Sequence, residues 1–198
     1  MDFTVVPKHT ALINVDLQNG FVRGTPDGLA VLERINRLSA ACRNAGILVI
    51  NTRHVLRPDG SNMGVLRNIP KIKDGFLNEG AESAALHNRL VVDPRDLHLE
   101  KPRFGAFHAT DLELILRARG IDTIIVSGIS TNVCCDTTAR EANARDFRVF
   151  FLSDGTATPA GANLQNATLE ILDGLFAQVL TVDEMLERIS CPTPGTDA

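Results

Sequence analysis

Apolar runs of strand length alternate along the chain with longer segments whose apolar residues recur at helical spacing. Residues 10–16 ("TALINVD"), 47–53 ("ILVINTR"), 122–128 ("DTIIVSG"), 148–154 ("RVFFLSD") and 177–182 ("AQVLTV") read as strands. Residues 96–101 ("DLHLEK") form a weaker strand, third in chain order. Helices are predicted over 28–46, 109–120, 132–146, 163–176 and 183–190. Gly46 and Gly120 stop the first two, and Thr110 caps the second. Residues 191–198, "CPTPGTDA", read as a frayed tail.

This β-α alternation predicts an α/β fold, with a mostly parallel sheet and helices on both faces. No repeat or linker marks a second unit, so a single domain over 1–198 is expected. One connection is out of proportion. Residues 54–95, rich in Gly, Pro, Asn and Asp, separate the second and third strands. Loops of that length usually carry function or an interface. In such a sheet, ligands bind beyond the carboxyl ends of the strands. Asp16, Arg53, Lys101, the turn 128–134 and Asp154 all lie there.

Composition narrows the function. The chain has 198 residues, 44% hydrophobic and 22% charged, as expected of a soluble globular protein. Its net charge of −4 supplies no basic footprint for nucleic acid. No apolar run approaches the roughly 20 residues that span a bilayer, and the N-terminus lacks a signal-peptide pattern. Four cysteines do not make a disulfide scaffold. The expected setting is therefore cytoplasmic, with free thiols. Neither G-x-G-x-x-G nor G-x-x-x-x-G-K-[ST] follows a strand, so no nucleotide cofactor is expected. The five histidines form no close pair, and HExxH and CxxC are absent. No metal is expected.

The chemistry concentrates in "GISTNVCCDTTAREA", residues 128–142. On a helix, neighbouring side chains point about 100° apart. Cys135 shares a stripe with Thr138, Ala139 and Ala142, which suits packing on the sheet. Cys134 shares one with Thr137, Thr138, Glu141 and Arg145, and lies in the first turn, where the helix dipole favours a thiolate. Cys134 is thus the candidate nucleophile. Asp16 is equally readable as a base or as the cap of the turn after it. Lys101 is readable as a surface lysine, although Pro102 and the pair Phe104 and Phe107 follow it. Together the three make a coherent set. A thiol with a reference pKa near 8.5 needs a base. A carboxylate supplies it, and burial would let that carboxyl return the proton to a leaving amine. A lysine ammonium stabilises a thiolate, and backbone N–H groups of the 128–134 turn stabilise an oxyanion.

At these residues the chain resembles the isochorismatase-like cysteine hydrolase superfamily. The likeness runs from "ALINVDLQNGF" through "EKPRFGAFHATDLELILRARGIDTIIVSGISTNVCCDTTAREA" to "FFLSDGTAT". It implies a three-layer α/β/α fold with a six-stranded parallel sheet of order 3-2-1-4-5-6. It implies a catalytic triad of Asp16, Lys101 and Cys134. It also implies a cis peptide at Ile129–Ser130, with the N–H groups of Ser130 and Cys134 as oxyanion hole. Members with the cysteine mostly hydrolyse C–N bonds of small amide, ureido or carbamoyl compounds, here through an acyl thioester. "KPRFGAFHATDLELIL" looks most like members acting on biuret- and ureidoacrylate-type substrates. The alternatives are an isochorismatase acting on a vinyl ether and a catalytically silent binding module. Nicotinamidases in the superfamily carry a metal-binding Asp/His cluster after the second strand. The region "NTRHVLRPDGSNMG" lacks it, so neither metal nor cofactor is implied. Phe21, Arg53, His54, Arg103 and Phe107 are the candidate substrate contacts; for Arg53 and Arg103 a solvated charge is as good a reading. The partners implied are a small-molecule substrate and further copies of the chain, as homodimer or homotetramer, with no nucleic acid and no membrane.

Overall fold

The apolar runs pair into one sheet in a computed structural model that describes residues 3–190; the tail expected at 191–198 lies outside the described residues. The strands are β1 (Thr10–Val15), β2 (Leu48–His54), β3 (Leu97–Lys101), β4 (Thr123–Ile129), β5 (Arg148–Ala157) and β6 (Gln178–Leu180). They are parallel throughout, in the order β3-β2-β1-β4-β5-β6. The helices are α1 (Asn19–Arg23), α2 (Gly28–Ala45), α3 (Pro70–Lys73), α4 (Leu112–Ala118), α5 (Asp136–Asn143), α6 (Ala162–Leu172) and α7 (Val182–Ser190).

Every residue of β1 and β4 is buried. That is why both read as continuous apolar runs: central parallel strands are covered on both faces. Alternate side chains then serve opposite layers. Ala11, Ile13, Ile124 and Val126 pack with Leu112 and Leu116 of α4 and Ala139 and Ala142 of α5. Leu12 and Ile125 pack with Leu38 and Cys42 of α2 and Met185 and Ile189 of α7. Gly46 ends α2 in the left-handed region at φ 80°, and the Ile47 N–H donates to the Cys42 carbonyl at 2.9 Å.

Several boundaries differ from those expected. The helix α4 starts at Leu112, because Ala109 takes φ 57°. Thr110 still accepts the Leu112 N–H, at 3.3 Å, from outside the helix. The helix expected over 132–146 divides into a five-residue π-helical turn, Thr131–Cys135, and α5. Its mark is the Cys135 N–H donating to the Ser130 carbonyl, five residues back, at 3.1 Å. Strand β5 runs past Asp154 to Ala157, because its register with β4 shifts between Val126 and Gly128.

The 54–95 connection folds back over the strand ends. Leu56, Met63, Leu66, Ile72 and Leu77 form a small core of their own, with Phe21, Phe76 and Phe104 packed on it. Buried Gln18 ties it down. Its Nε2 donates to the His54 and Ala84 carbonyls at 3.1 and 2.8 Å, and its Oε1 accepts the His54 N–H at 2.7 Å. The roof covers the carboxyl ends of β1 and β2. There the strand order reverses between β1 and β4, the crevice where such folds bind ligands.

Candidate active site

Asp16 directly follows β1 and takes φ 53°. Its backbone N–H donates to Thr52 Oγ1 at 3.1 Å, and that hydroxyl donates back to Asp16 Oδ1 at 2.7 Å. Lys101 is the last residue of β3, in register with His54 of β2. Its Nζ lies 2.7 Å from Asp16 Oδ2, and it donates to the Arg103 and Phe104 carbonyls at 3.0 and 2.8 Å. The ammonium thus has two carbonyl acceptors and a carboxylate counter-ion. Both side chains of the ion pair are 0% exposed, so the surface-lysine reading does not hold, and Asp16 Oδ1 is taken by the Thr52 hydroxyl. Burial opposes the charge on Lys101, but the Asp16 carboxylate and the Cys134 sulfur outweigh it and hold its pKa above the usual lysine value.

Cys134 lies in the π-helical turn after β4. Its sulfur, a carboxylate oxygen of Asp16 and a ring nitrogen of His54 all lie within 4.8 Å of one another. Burial pushes the Cys134 thiol up to about 12, against the pull of the Lys101 charge. Asp16 adds to the rise, and the Ser130 backbone opposes it. The π-helical turn that holds Cys134 runs directly into α5, and burial outweighs the charges that favour a thiolate there. Cys135 points elsewhere. Its Sγ sits 3.8 Å from the Ser127 carbonyl, and it packs with Ala139 and Ala142. The Ile129–Ser130 peptide bond is cis.

Cys134 and Ser130 open onto a cavity of about 320 Å³ walled by Phe21, His54, Lys71, Phe76 and Phe104. A larger hollow of about 580 Å³, lined by Arg23, Leu29, His87 and Arg89 among others, includes none of Asp16, Lys101 and Cys134. The chemistry, not the size, marks the site.

The isochorismatase domain model matches residues 10–184. Ureidoacrylate amidohydrolase RutB of Enterobacter sp. (strain 638) is 32% identical, over 96% of this chain and 93% of the relative. RutB of Methylorubrum extorquens (strain DSM 6343 / CIP 106787 / DM4) is 34% identical, over 87% and 79%. Among solved structures, a cysteine hydrolase from Pseudomonas syringae pv. phaseolicola 1448A superposes with a TM-score of 0.88 at 33% identity, covering 96% of each chain. N-carbamoylsarcosine amidase from Thermoplasma acidophilum superposes with a TM-score of 0.73 at 25% identity, covering 88% of this chain and 96% of its own. The chain belongs to the isochorismatase family. It falls among that family's hydrolases of C–N bonds other than peptide bonds.

In this isochorismatase-family hydrolase, Phe21 and His54 line the cavity, whereas three other candidate contacts do not. Arg53 alternates with Thr52 and His54 on β2, so it faces the other way and pairs with Glu100. Arg103 donates to the Asn62 and Pro102 carbonyls at 2.9 and 2.6 Å and braces the connection. Phe107 is buried in the core, its ring centroid 5.7 Å from that of Phe147. Asp154 accepts the Val182 N–H at 2.7 Å, at the start of α7, and takes no part in the site. Sequence reasoning missed Thr52, Lys71 and Phe76. Thr52 was within reach, two residues before His54 and hence on its face. Lys71 and Phe76 come from the irregular connection, whose path no periodicity encodes.

Asp16, His54 and Cys134 are also the one group of metal-ligand types brought together among the described residues. An O, N and S donor set is chemically suited to zinc. The set does not fit a cation here. The Lys101 ammonium already stands 2.7 Å from Asp16 Oδ2, and Thr52 holds Oδ1.

Proposed function

We propose that Cys134, Asp16 and Lys101 are the catalytic triad of an amidohydrolase acting on a small amide, ureido or carbamoyl compound. The observation that carries this reading is the fully buried Asp16–Lys101 pair beside the Cys134 thiol, which lines the cavity. Lys101 pairs with Asp16, and Asp16 acts as the proton acceptor. As substrate arrives, the Cys134 S–H proton passes to Asp16, the S–C bond forms, and the carbonyl electron pair moves onto oxygen. The N–H groups of Ser130 and Cys134 receive that oxyanion. The C–N bond then breaks as Asp16 gives its proton to the departing nitrogen. Water repeats the sequence on the thioester: a proton goes to Asp16, the C–O bond forms, the C–S bond breaks, and sulfur recovers the proton. One water is consumed, and one acid and one amine are released.

The substrate class is supported by relatives named for ureidoacrylate and for N-carbamoylsarcosine. A cavity of about 320 Å³ sits at the small end of ligand sites. The working form is a homo-oligomer in the cytoplasm. In support, Leu164 and Ile171 of α6, with Leu175 beyond it, stand exposed. Among the described residues, no helix is long and apolar enough to cross a membrane.

The decisive experiment measures ammonia release from a panel of small amides and ureido acids, with intact-mass analysis of the enzyme. Cys134→Ala is expected to lose at least about 10⁴-fold in turnover and to form no acyl adduct. Cys135→Ala is expected to stay within about threefold of wild type, its loss confined to roughly 1 kcal/mol of stability from a lost packing atom. Equal loss of turnover in both variants would overturn the assignment.

A further inference from the structure

His54 is fully buried and borders the cavity, yet neither ring nitrogen makes a well-aligned hydrogen bond among the described residues, although the Pro102 carbonyl stands close to the ring. The residue is not free to seek one. Its backbone N–H and carbonyl are both held by Gln18. Its ring stands edge-on to Phe104, with centroids 5.7 Å apart and planes at 89°. A buried polar atom left without a partner carries a substantial desolvation penalty, and an apolar side chain here would avoid it. The Pro102 carbonyl can take the ring's one N–H, so it is the acceptor nitrogen that is explained by something that enters the cavity.

The position says what. One ring nitrogen lies within 4.8 Å of both a carboxylate oxygen of Asp16 and the Cys134 sulfur. Nitrogen and oxygen atoms no further apart than that can both reach a common atom at about 2.9 Å. An atom placed there exchanges a proton with Asp16 while bonded to the carbon held on Cys134. In acylation that atom is the leaving nitrogen. In deacylation it is the oxygen of the attacking water.

We propose that the acceptor nitrogen of the His54 ring takes a hydrogen bond first from the leaving N–H and then from the hydrolytic water, placing each against Asp16. This rests on the reading of Cys134 as nucleophile and Asp16 as acid–base. No proton is transferred to the ring; it orients the reacting atom. It also sets a substrate class: the leaving nitrogen must keep a hydrogen for His54, as primary amides and terminal carbamoyl groups do and tertiary amides do not.

The test compares His54→Phe and His54→Gln in the full chain, on a primary amide and on an activated ester of the same acid, whose leaving group has no N–H. For His54→Phe, kcat/KM on the amide falls about 100-fold, while single-turnover acylation by the ester stays within about threefold of wild type. Its acyl-Cys134 adduct then accumulates, seen by intact mass, because water is no longer placed. His54→Gln, which keeps a donor and an acceptor, recovers at least about tenfold of the amide loss. Equal loss of amide and ester acylation in His54→Phe would make the residue merely structural and overturn the proposal. So would wild-type amide hydrolysis with no adduct, or failure of His54→Gln to recover while folded by circular dichroism. A wild-type enzyme that forms no adduct with the ester would instead sink the triad itself.

Discussion

Lys101 is the residue whose two readings lay furthest apart. A lysine at a strand end is ordinarily solvated, yet here the side chain is wholly enclosed. Removing one partner of a buried ion pair leaves the other charge uncompensated, typically at about 3–5 kcal/mol. Lys101→Met is therefore expected to lower the unfolding free energy by about that amount and to abolish turnover. Asp16→Asn/Lys101→Met, which removes both charges, should recover much of the stability but no activity. Urea unfolding and ammonia release measure the two effects; a stable single variant would show that the pair carries little of the site's order. The cysteine doublet was legible at this scale, because two neighbours on a helical path cannot share a face. The protonation state of Cys134 was not. It depends on burial by Phe104, Val133 and the roof, and no local spacing states that.

At the scale of elements, the site depends on how closely β1 and β4 approach. Gly128 pairs with Val15 immediately before Asp16, at φ 121°, and a Cβ there would come within 2.0 Å of the Val15 carbonyl oxygen. Neither the backbone angle nor the space admits a side chain. Gly128→Ala is expected to cost more than about 3 kcal/mol, at the upper end of single substitutions, and to cut turnover by displacing Asp16 from Cys134. A variant that melts within 2 °C of wild type and keeps its kcat would contradict this account. The four central strands were readable because each buried parallel strand writes an apolar run into the chain, the less buried β3 and β6 were readable more weakly, and the strand order came from the family resemblance alone. The ends were less so. The π-helical turn at 131–135 and the register shift opposite β5 come from packing at the crevice, not from propensity. The connection was readable only as too long to be idle; its small core around Leu56, Met63 and Ile72 has no period to reveal it.

For the whole molecule, the buried His54 couples catalysis to folding through pH. Burial first, and the Lys101 charge second, lower its pKa from 6.5 to about 4, with Asp16 and the Pro102 carbonyl pulling the other way. The unfolded chain therefore binds a proton between those two values that the folded chain refuses. With more protons bound unfolded, stability rises with pH across that window. The contribution is fully present above pH 6.5 and is lost as the pH falls toward 4. By pH 5 the loss is on the order of 2 kcal/mol, at about 1.4 kcal/mol per pH unit. His87, whose pKa is also lowered by burial and the nearby Arg23 and Arg89, adds to the same slope but is untouched by changes at residue 54. The comparison that isolates His54 is thus urea unfolding of wild type and His54→Gln at pH 7, 6 and 5. Wild type should lose more stability than the variant across that range, with the gap opening as pH falls. Parallel curves for the two proteins would mean that the imidazole is already solvated in the folded state, and that the enclosed site inferred around Cys134 is open to water.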